Sequence, residues 1–307
     1  MSSSNTSSEN NIMTACANCG KGEEASIDLK SCAACVLVKY CSRECQVAHR
    51  PQHKKECKKR AAELHDEKLF KQPPPLDDCP ICMIRLPSLE TGRMYMPCCG
   101  KTICIGCLHA FQSRSTSEKD YVCPFCRTPI TSSEEEATKR MRERLNQNDA
   151  KGMYTFGAFY DRGQCGFPQD RAKALELWHR AGELGSADAY HNIGVCYSSG
   201  GGVERDEKKA KHYFELAAMR GSIAARHNLG VKEGQAGSYA RALKHFMIAI
   251  KGGSVGSLEV IRFMYKHGHA TKDDYAKALR ACRAYVDEVK SDQRDEAAAF
   301  CDDYKYH

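Results

Sequence analysis

At 307 residues, 42% of them hydrophobic and 28% charged, the chain has the composition of an ordinary soluble globular protein and room for two or three domains. No stretch approaches the roughly 18 apolar residues of a membrane-spanning helix, which excludes a protein anchored that way. The formal charge of +7 is spread over both halves of the chain rather than gathered in an arm, which argues against a basic tail that binds nucleic acid.

Residues 1–15, which begin MSSSNTSSENN, are Ser/Asn-rich with few apolar side chains and are predicted to be disordered. They hold no basic segment followed by an apolar core, so no export signal is expected, and the predicted location is intracellular, cytoplasmic or nuclear. That compartment decides how the cysteines read. Fifteen of the nineteen lie between Cys16 and Cys126, most of them as C-x2-C pairs: Cys16/Cys19, Cys32/Cys35, Cys79/Cys82, Cys104/Cys107 and Cys123/Cys126. Such a pair places two thiolates on one turn, close enough to share a tetrahedral zinc ion, whereas a disulfide framework needs an oxidising compartment. Loaded thiolate sites are net anionic and would cancel the formal positive charge.

Over residues 16–57 the candidate ligands run Cys16, Cys19, Cys32, Cys35, Cys41, Cys45, His53 and Cys57, enough for two ions, with His49 competing for the place of His53. The run Tyr40-Cys41-Ser42-Arg43-Glu44-Cys45-Gln46, followed by His53-Lys54-Lys55-Glu56-Cys57, resembles the MYND-type zinc finger. The resemblance implies interleaved sites, Cys16, Cys19, Cys41 and Cys45 around one ion and Cys32, Cys35, His53 and Cys57 around the other. It also implies a module that binds short proline-containing peptides of partner proteins. Arg50 departs from the family, which usually has Trp there. So short a segment with so few large apolar side chains cannot offset a chain entropy of about 1–2 kcal/mol per residue, and the module is expected to fold only with its metal.

Residues 58–78 read as a linker, charged from Lys58 to Lys71 and then stiffened by Pro73, Pro74 and Pro75. Residues 79–130 hold the second cysteine group: Cys79-Pro80-Ile81-Cys82, then Cys98-Cys99-Gly100-Lys101-Thr102-Ile103-Cys104-Ile105-Gly106-Cys107, then Cys123-Pro124-Phe125-Cys126-Arg127. This resembles a RING-type finger, and the resemblance implies that Cys79, Cys82, Cys104 and Cys107 hold one ion. The family's usual histidine three residues before Cys104 is here Lys101, whose ammonium has no lone pair for a metal. Cys98 and Cys99 together, with Cys123 and Cys126, repair the second site, for four zinc ions in all. By the same resemblance Ile81, Phe111, Pro124 and Arg127 would contact a ubiquitin-conjugating enzyme, and Arg127 would bridge that enzyme and ubiquitin. Many active members carry Trp at the place of Phe111.

Ser133 followed by Glu136 has the form of a capping box and opens a predicted connecting helix within residues 131–148. From 149 to 291 the chain repeats. Phe156-Gly157, Ile193-Gly194 and Leu229-Gly230 recur, as do Gly185-Ser186, Gly221-Ser222 and Gly253-Ser254. Apolar stripes at helical spacing mark a second helix in each copy: Ala174, Leu177, Trp178 and Ala181, then Ala210, Tyr213, Phe214 and Ala217, then Ala242, Phe246 and Ala249. A degenerate fourth copy carries Ala278, Ala281, Cys282 and Tyr285, and residues 292–307 read as a tail. The pattern Asn192-Ile193-Gly194-x2-Tyr197, Gly202-Val203-x2-Asp206, Lys209-Ala210 resembles Sel-1-like repeats, relatives of the tetratricopeptide array. Trp178 reads as core, and Cys165, Cys196, Cys282 and Cys301 as ordinary thiols.

The expected architecture is therefore multi-domain: two small cross-braced zinc-binding fingers followed by an all-α helical-repeat solenoid. The expected function is a RING-type ubiquitin ligase that takes its partners or substrates through the MYND finger and the repeats. The alternative is a non-catalytic scaffold or adaptor whose modules only bind proteins. The sequence holds no hydrolase elbow, phosphate loop or deaminase signature, since Pro80 follows Cys79 rather than preceding it.

Overall fold

A computed structural model describes residues 14–22, 28–73, 77–114, 121–130 and 133–307. The segment predicted to be disordered, up to residue 13, and Pro74 and Pro75 of the spacer lie outside them. The chain divides into two compact units, Met1–Lys71 and Gln72–His307.

The first unit is a two-stranded antiparallel hairpin and one long helix. Strands β1 (Lys30–Ser31) and β2 (Lys39–Tyr40) pair with Lys30 opposite Tyr40. Helix α1 (Arg43–Leu69) starts where the Ser42 hydroxyl accepts from the Cys45 N–H. Its first turns carry Cys45, His53 and Cys57. Beyond Cys57 it continues through residues 58–69, which the sequence presents as linker. No residue there breaks a helix, and Arg60 donates to Glu63 at 3.1 Å and Glu67 at 2.9 Å. The core is Cys16, Leu29, Cys32, Cys35, Val38 and Tyr40, half of it sulfur.

The second unit opens with the second finger. Strands β3 (Arg93–Met96) and β4 (Lys101–Cys104) form an antiparallel hairpin closed by Gly100 at φ 70°, and helix α2 (Ile105–Gln112) follows directly. Helix α3 (Glu134–Asn146) is capped by Ser133. Four helix pairs follow: α4 (Ala150–Arg162) with α5 (Arg171–Glu183), α6 (Ala187–Ser199) with α7 (Glu207–Met219), α8 (Ile223–Gln235) with α9 (Tyr239–Lys251), and α10 (Val255–Lys266) with α11 (Lys272–Val289). Each pair also packs on the next, as in a solenoid.

The recurring dipeptides have two physical jobs. At Gly185, Gly221 and Gly253 the backbone takes φ of 105°, 103° and 100°, open to glycine, and the serine that follows caps α6, α8 or α10. Gly157, Gly194 and Gly230 instead lie under an aromatic ring of the paired helix: a β-carbon there would meet Trp178 at 2.5 Å, Phe214 at 2.7 Å and Phe246 at 2.6 Å. Trp178 is 3% exposed and donates its indole N–H to the Tyr154 carbonyl at 3.1 Å, a core residue as the sequence predicts. The third copy's shorter turn between α8 and α9 leaves Ser238 without a side-chain cap bond.

The second finger lies along this array and touches it from end to end. Asp77 pairs with Lys151 at 3.2 Å, Glu90 accepts from Tyr154 at 2.6 Å, and Arg93 faces Asp188 at 3.6 Å. Further along, the Ser88 N–H donates to the Tyr285 hydroxyl at 2.8 Å and Arg85 pairs with Glu288 at 2.5 Å. Residues 292–307 are not a tail. They form helix α12 (Asp292–Phe300), which packs on α2 through Ile105, Leu108 and Ala297, and they end in buried Tyr306 against Gly92.

Candidate metal centres

The candidate ligands fall into four groups, each with all its donor atoms within 4.8 Å of one another: Cys16, Cys19, Cys41 and Cys45; Cys32, Cys35, His53 and Cys57; Cys79, Cys82, Cys104 and Cys107; Cys98, Cys99, Cys123 and Cys126. Within each finger the two groups interleave along the chain. His53 Nε2 sits 3.2 Å from Cys35 Sγ, while His49, the competing donor, turns Nδ1 to the Tyr40 hydroxyl at 3.1 Å and stacks on the His53 ring. Lys101 belongs to no group; its ammonium lies 5.9 Å from the Phe125 ring centre.

Four of the C-x2-C pairs are built on one turn. The N–H of the residue after the second cysteine returns to the carbonyl of the first, from Gly20, Val36, Met83 and Arg127 to Cys16, Cys32, Cys79 and Cys123, each at 2.9 Å. That residue is left-handed in every case, with φ of 73°, 61°, 56° and 62°. The turn points both thiols inward. Glycine takes this conformation freely, whereas a side-chain-bearing residue pays about 1–2 kcal/mol. Val36, β-branched and 63% exposed, is the most strained of the four. Val36→Gly is accordingly expected to tighten the loaded first finger by up to about 1 kcal/mol, the strain relieved less the added freedom of the unfolded chain. A competition titration against a metal chelator measures it, and unchanged or weaker retention would mean that the valine side chain supports the turn.

The spacing and chemistry of the donors fit zinc. A tetrahedron with Zn–S of about 2.3 Å has edges of about 3.8 Å. The S–S separations run from 3.4 Å for Cys98/Cys126 and 3.5 Å for Cys19/Cys41 to 3.9 Å for Cys82/Cys104 and Cys99/Cys123, far beyond disulfide length, and all the cysteines are free thiols. Without a cation, sulfurs this close cannot all ionise. At Cys16 burial opposes the thiolate but backbone N–H groups of Cys19, Cys41 and Asn18 prevail, lowering the thiol to about 6, whereas hydrogen bonds with Cys19, Cys16 and Cys45 push Cys41 up to about 12. Burial and the sulfurs of Cys32 and Cys35 likewise push Cys57 up to about 12. A dication removes this conflict by favouring every thiolate at once.

The adjacent candidate ligands Cys98 and Cys99 lie in a turn, where the Cys99 and Gly100 N–H groups return to the Met96 carbonyl at 3.2 and 2.8 Å, and a residue that the sequence does not single out braces it. Arg144 on α3 donates to the carbonyls of Pro97 and Cys98, both at 2.7 Å. The four positions expected to meet a conjugating enzyme are accessible to different degrees. Ile81 and Phe125 are the tips of two Cys-Pro-x-Cys turns and are 40% and 44% exposed, and Met83, two residues after Ile81, is 70% exposed. Pro124 and Phe111 are half-buried, and the Arg127 guanidinium lies 4.9 Å from the centre of the Phe111 ring.

Residues 16–57 match the MYND finger family model, and residues 150–186 and 187–222 each match the Sel1 repeat. The chain thus carries a MYND zinc finger followed by Sel1 repeats, both of them protein-interaction modules. Over 98 residues it is 34% identical to the E3 ubiquitin-protein ligase DA2 of Arabidopsis thaliana, a match covering 25% of this chain and 23% of that one. Over 69 residues it is 36% identical to the E3 ubiquitin-protein ligase GW2 of Oryza sativa subsp. indica, covering 22% and 15%. The chain therefore spans less than a quarter of the length of these relatives. Among solved structures it is similar to a Sel1 repeat protein from Oxalobacter formigenes, with 26% identity, 52% of this chain and 67% of that one covered, and a TM-score of 0.47. It is also similar to c5321, an antigen of uropathogenic Escherichia coli with an SLR fold, with 22% identity, 63% and 43% covered, and a TM-score of 0.45. Among the described residues no helix is long and apolar enough to cross a membrane.

Proposed function

We propose that the chain is a RING-type ubiquitin ligase whose four groups hold four zinc ions, with the MYND finger and the repeats binding its partners or substrates. The observation that carries this reading is the second finger: two interleaved four-sulfur groups that leave Ile81 exposed and set Arg127 over Phe111. Such a ligase has no nucleophile of its own. Ile81, Phe111 and Pro124 would seat the conjugating enzyme by apolar contact, and Arg127 would donate hydrogen bonds to both enzyme and ubiquitin, restraining the thioester for attack. The partial likeness to two plant ubiquitin ligases supports the same reading. The exposed Val36, Leu37 and Val47 of the first finger suit an apolar, proline-containing peptide.

Arg127→Ala removes charge-assisted hydrogen bonds worth about 2 kcal/mol in such a complex, so auto-ubiquitination is expected to fall roughly 30-fold. Native mass spectrometry of the same variant should still count four zinc ions. Wild-type protein that is inactive with a broad panel of conjugating enzymes, yet fully loaded, would instead make the chain a scaffold.

A further inference from the structure

Arg294, in the first turn of α12, is 1% exposed, and among the described residues its guanidinium meets carbonyls and a sulfur rather than a carboxylate. Nη1 donates to the carbonyls of Arg85 at 2.9 Å and Val289 at 2.6 Å. Nη2 donates to the Ile84 carbonyl at 3.3 Å and to Cys82 Sγ at 3.8 Å. Beside it Gln293, exposed on α12, places its amide Oε1 3.5 Å from Cys107 Sγ. With that sulfur ionised, a half-turn of the amide presents N–H to it instead. The helix can come this close because Gly106, inside the Cys104–Cys107 turn, has no side chain. A β-carbon there would lie 2.7 Å from the Arg294 backbone nitrogen.

A buried guanidinium without an anion is strongly unfavourable, and a zinc ion held by four thiolates carries a net charge of about −2. The two features answer each other. We propose that α12 is the outer hydrogen-bonding layer of the Cys79/Cys82/Cys104/Cys107 centre, with Arg294 as its counter-ion and Gln293 as a second donor, so that the helix following the repeat array governs how long that centre keeps its metal. This rests on the reading above that metal fills the group. Arg294 and Gln293 are positioning residues: they touch ligands, not the ion. The other centre of the same finger, Cys98/Cys99/Cys123/Cys126, leans on Arg144 of α3 instead and serves as an internal reference.

The test is site-resolved alkylation of the full chain. Loaded protein is held in excess chelator with a maleimide, and peptide mass spectrometry follows labelling at each cysteine. Gln293→Leu, at an exposed position, and Arg294→Lys, which keeps the charge but loses the fork, are each expected to speed labelling of Cys79, Cys82, Cys104 and Cys107 by about 10- to 100-fold relative to Cys98, Cys99, Cys123 and Cys126. Tyr306→Phe, which removes only a bond to Asp295 and touches no sulfur, should leave that ratio unchanged. Equal acceleration at both centres, or no change with Gln293→Leu, overturns the proposal and reduces α12 to simple packing. Wild-type protein whose Cys79 group labels at once, without metal, would overturn the zinc reading itself, so the two failures are distinguishable.

Discussion

Removing metal with a strong chelator is expected to unfold the first finger completely while the helical array stays folded. Beside its three cysteines, the core of that finger contains Leu29, Val38 and Tyr40. Burying three such side chains contributes about 5–9 kcal/mol. Ordering the backbone costs about 1–2 kcal/mol for every residue, so burial falls short by several-fold. Zinc can supply about 10–16 kcal/mol per site, so two sites contribute more than the buried side chains do. The array needs no such help, because Phe156, Trp178, Ile193, Phe214, Leu229 and Phe246 give it an apolar interior of its own. Hydrogen exchange separates the two. After chelation, protection at the Gly20 and Val36 amides should fall to that of an open chain, while amides within α5 and α7 keep theirs. The second finger should open later than the first, since it is braced by Arg144, Tyr285, Arg294 and Tyr306 as well as by any metal. Protection persisting at Val36 without metal would mean that the hairpin and α1 hold that turn on their own.

The difference between those two fingers also marks where the sequence can be read and where it cannot. Ligand chemistry is written locally. A pair of thiols separated by two residues means one turn wherever it occurs, and interleaving follows from a family likeness, so the four groups could be named before any coordinates. The repeat helices were legible for a related reason, because Ala174, Leu177, Trp178 and Ala181 fall on one side of any helix that contains them. What holds the second finger is of another kind. Arg294 meets Ile84, Arg85 and Cys82 across more than two hundred residues, and Tyr285 meets Ser88 across nearly as many. No periodicity or spacing encodes such a meeting, so a short Ala-rich end reads as a tail although it carries a buried guanidinium. The helical character of residues 58–69 was visible in principle, since Arg60, Glu63 and Glu67 have helical spacing. Pro73, Pro74 and Pro75 mark a boundary but say nothing of the helix before it.

The same distinction between local and distant causes gives the second large effect. Gly194→Ala is a favourable change by helix propensity alone, worth up to about 1 kcal/mol in an exposed helix. Here it is expected to destabilise. The added carbon would sit 2.7 Å from two atoms of the Phe214 ring, closer than carbon atoms pack, and the ring is 2% exposed with no space to retreat into. Either α6 and α7 separate or Phe214 leaves its rotamer, and overpacking of this kind costs about 1–3 kcal/mol. For a unit of this size that corresponds to a melting temperature lower by roughly 4–8 °C at the middle of the range. A partner substitution identifies the cause. Phe214→Leu alone creates a cavity and destabilises, but combined with Gly194→Ala it removes the clash, so the double variant should be more stable than the two single effects added together. Strict additivity would place the strain somewhere other than the contact between α6 and α7. A β-carbon at Gly230 would lie 2.6 Å from the Phe246 ring in the next pair, so Gly230→Ala with Phe246→Leu should repeat the non-additive result if close approach of paired helices is what the recurring glycines serve.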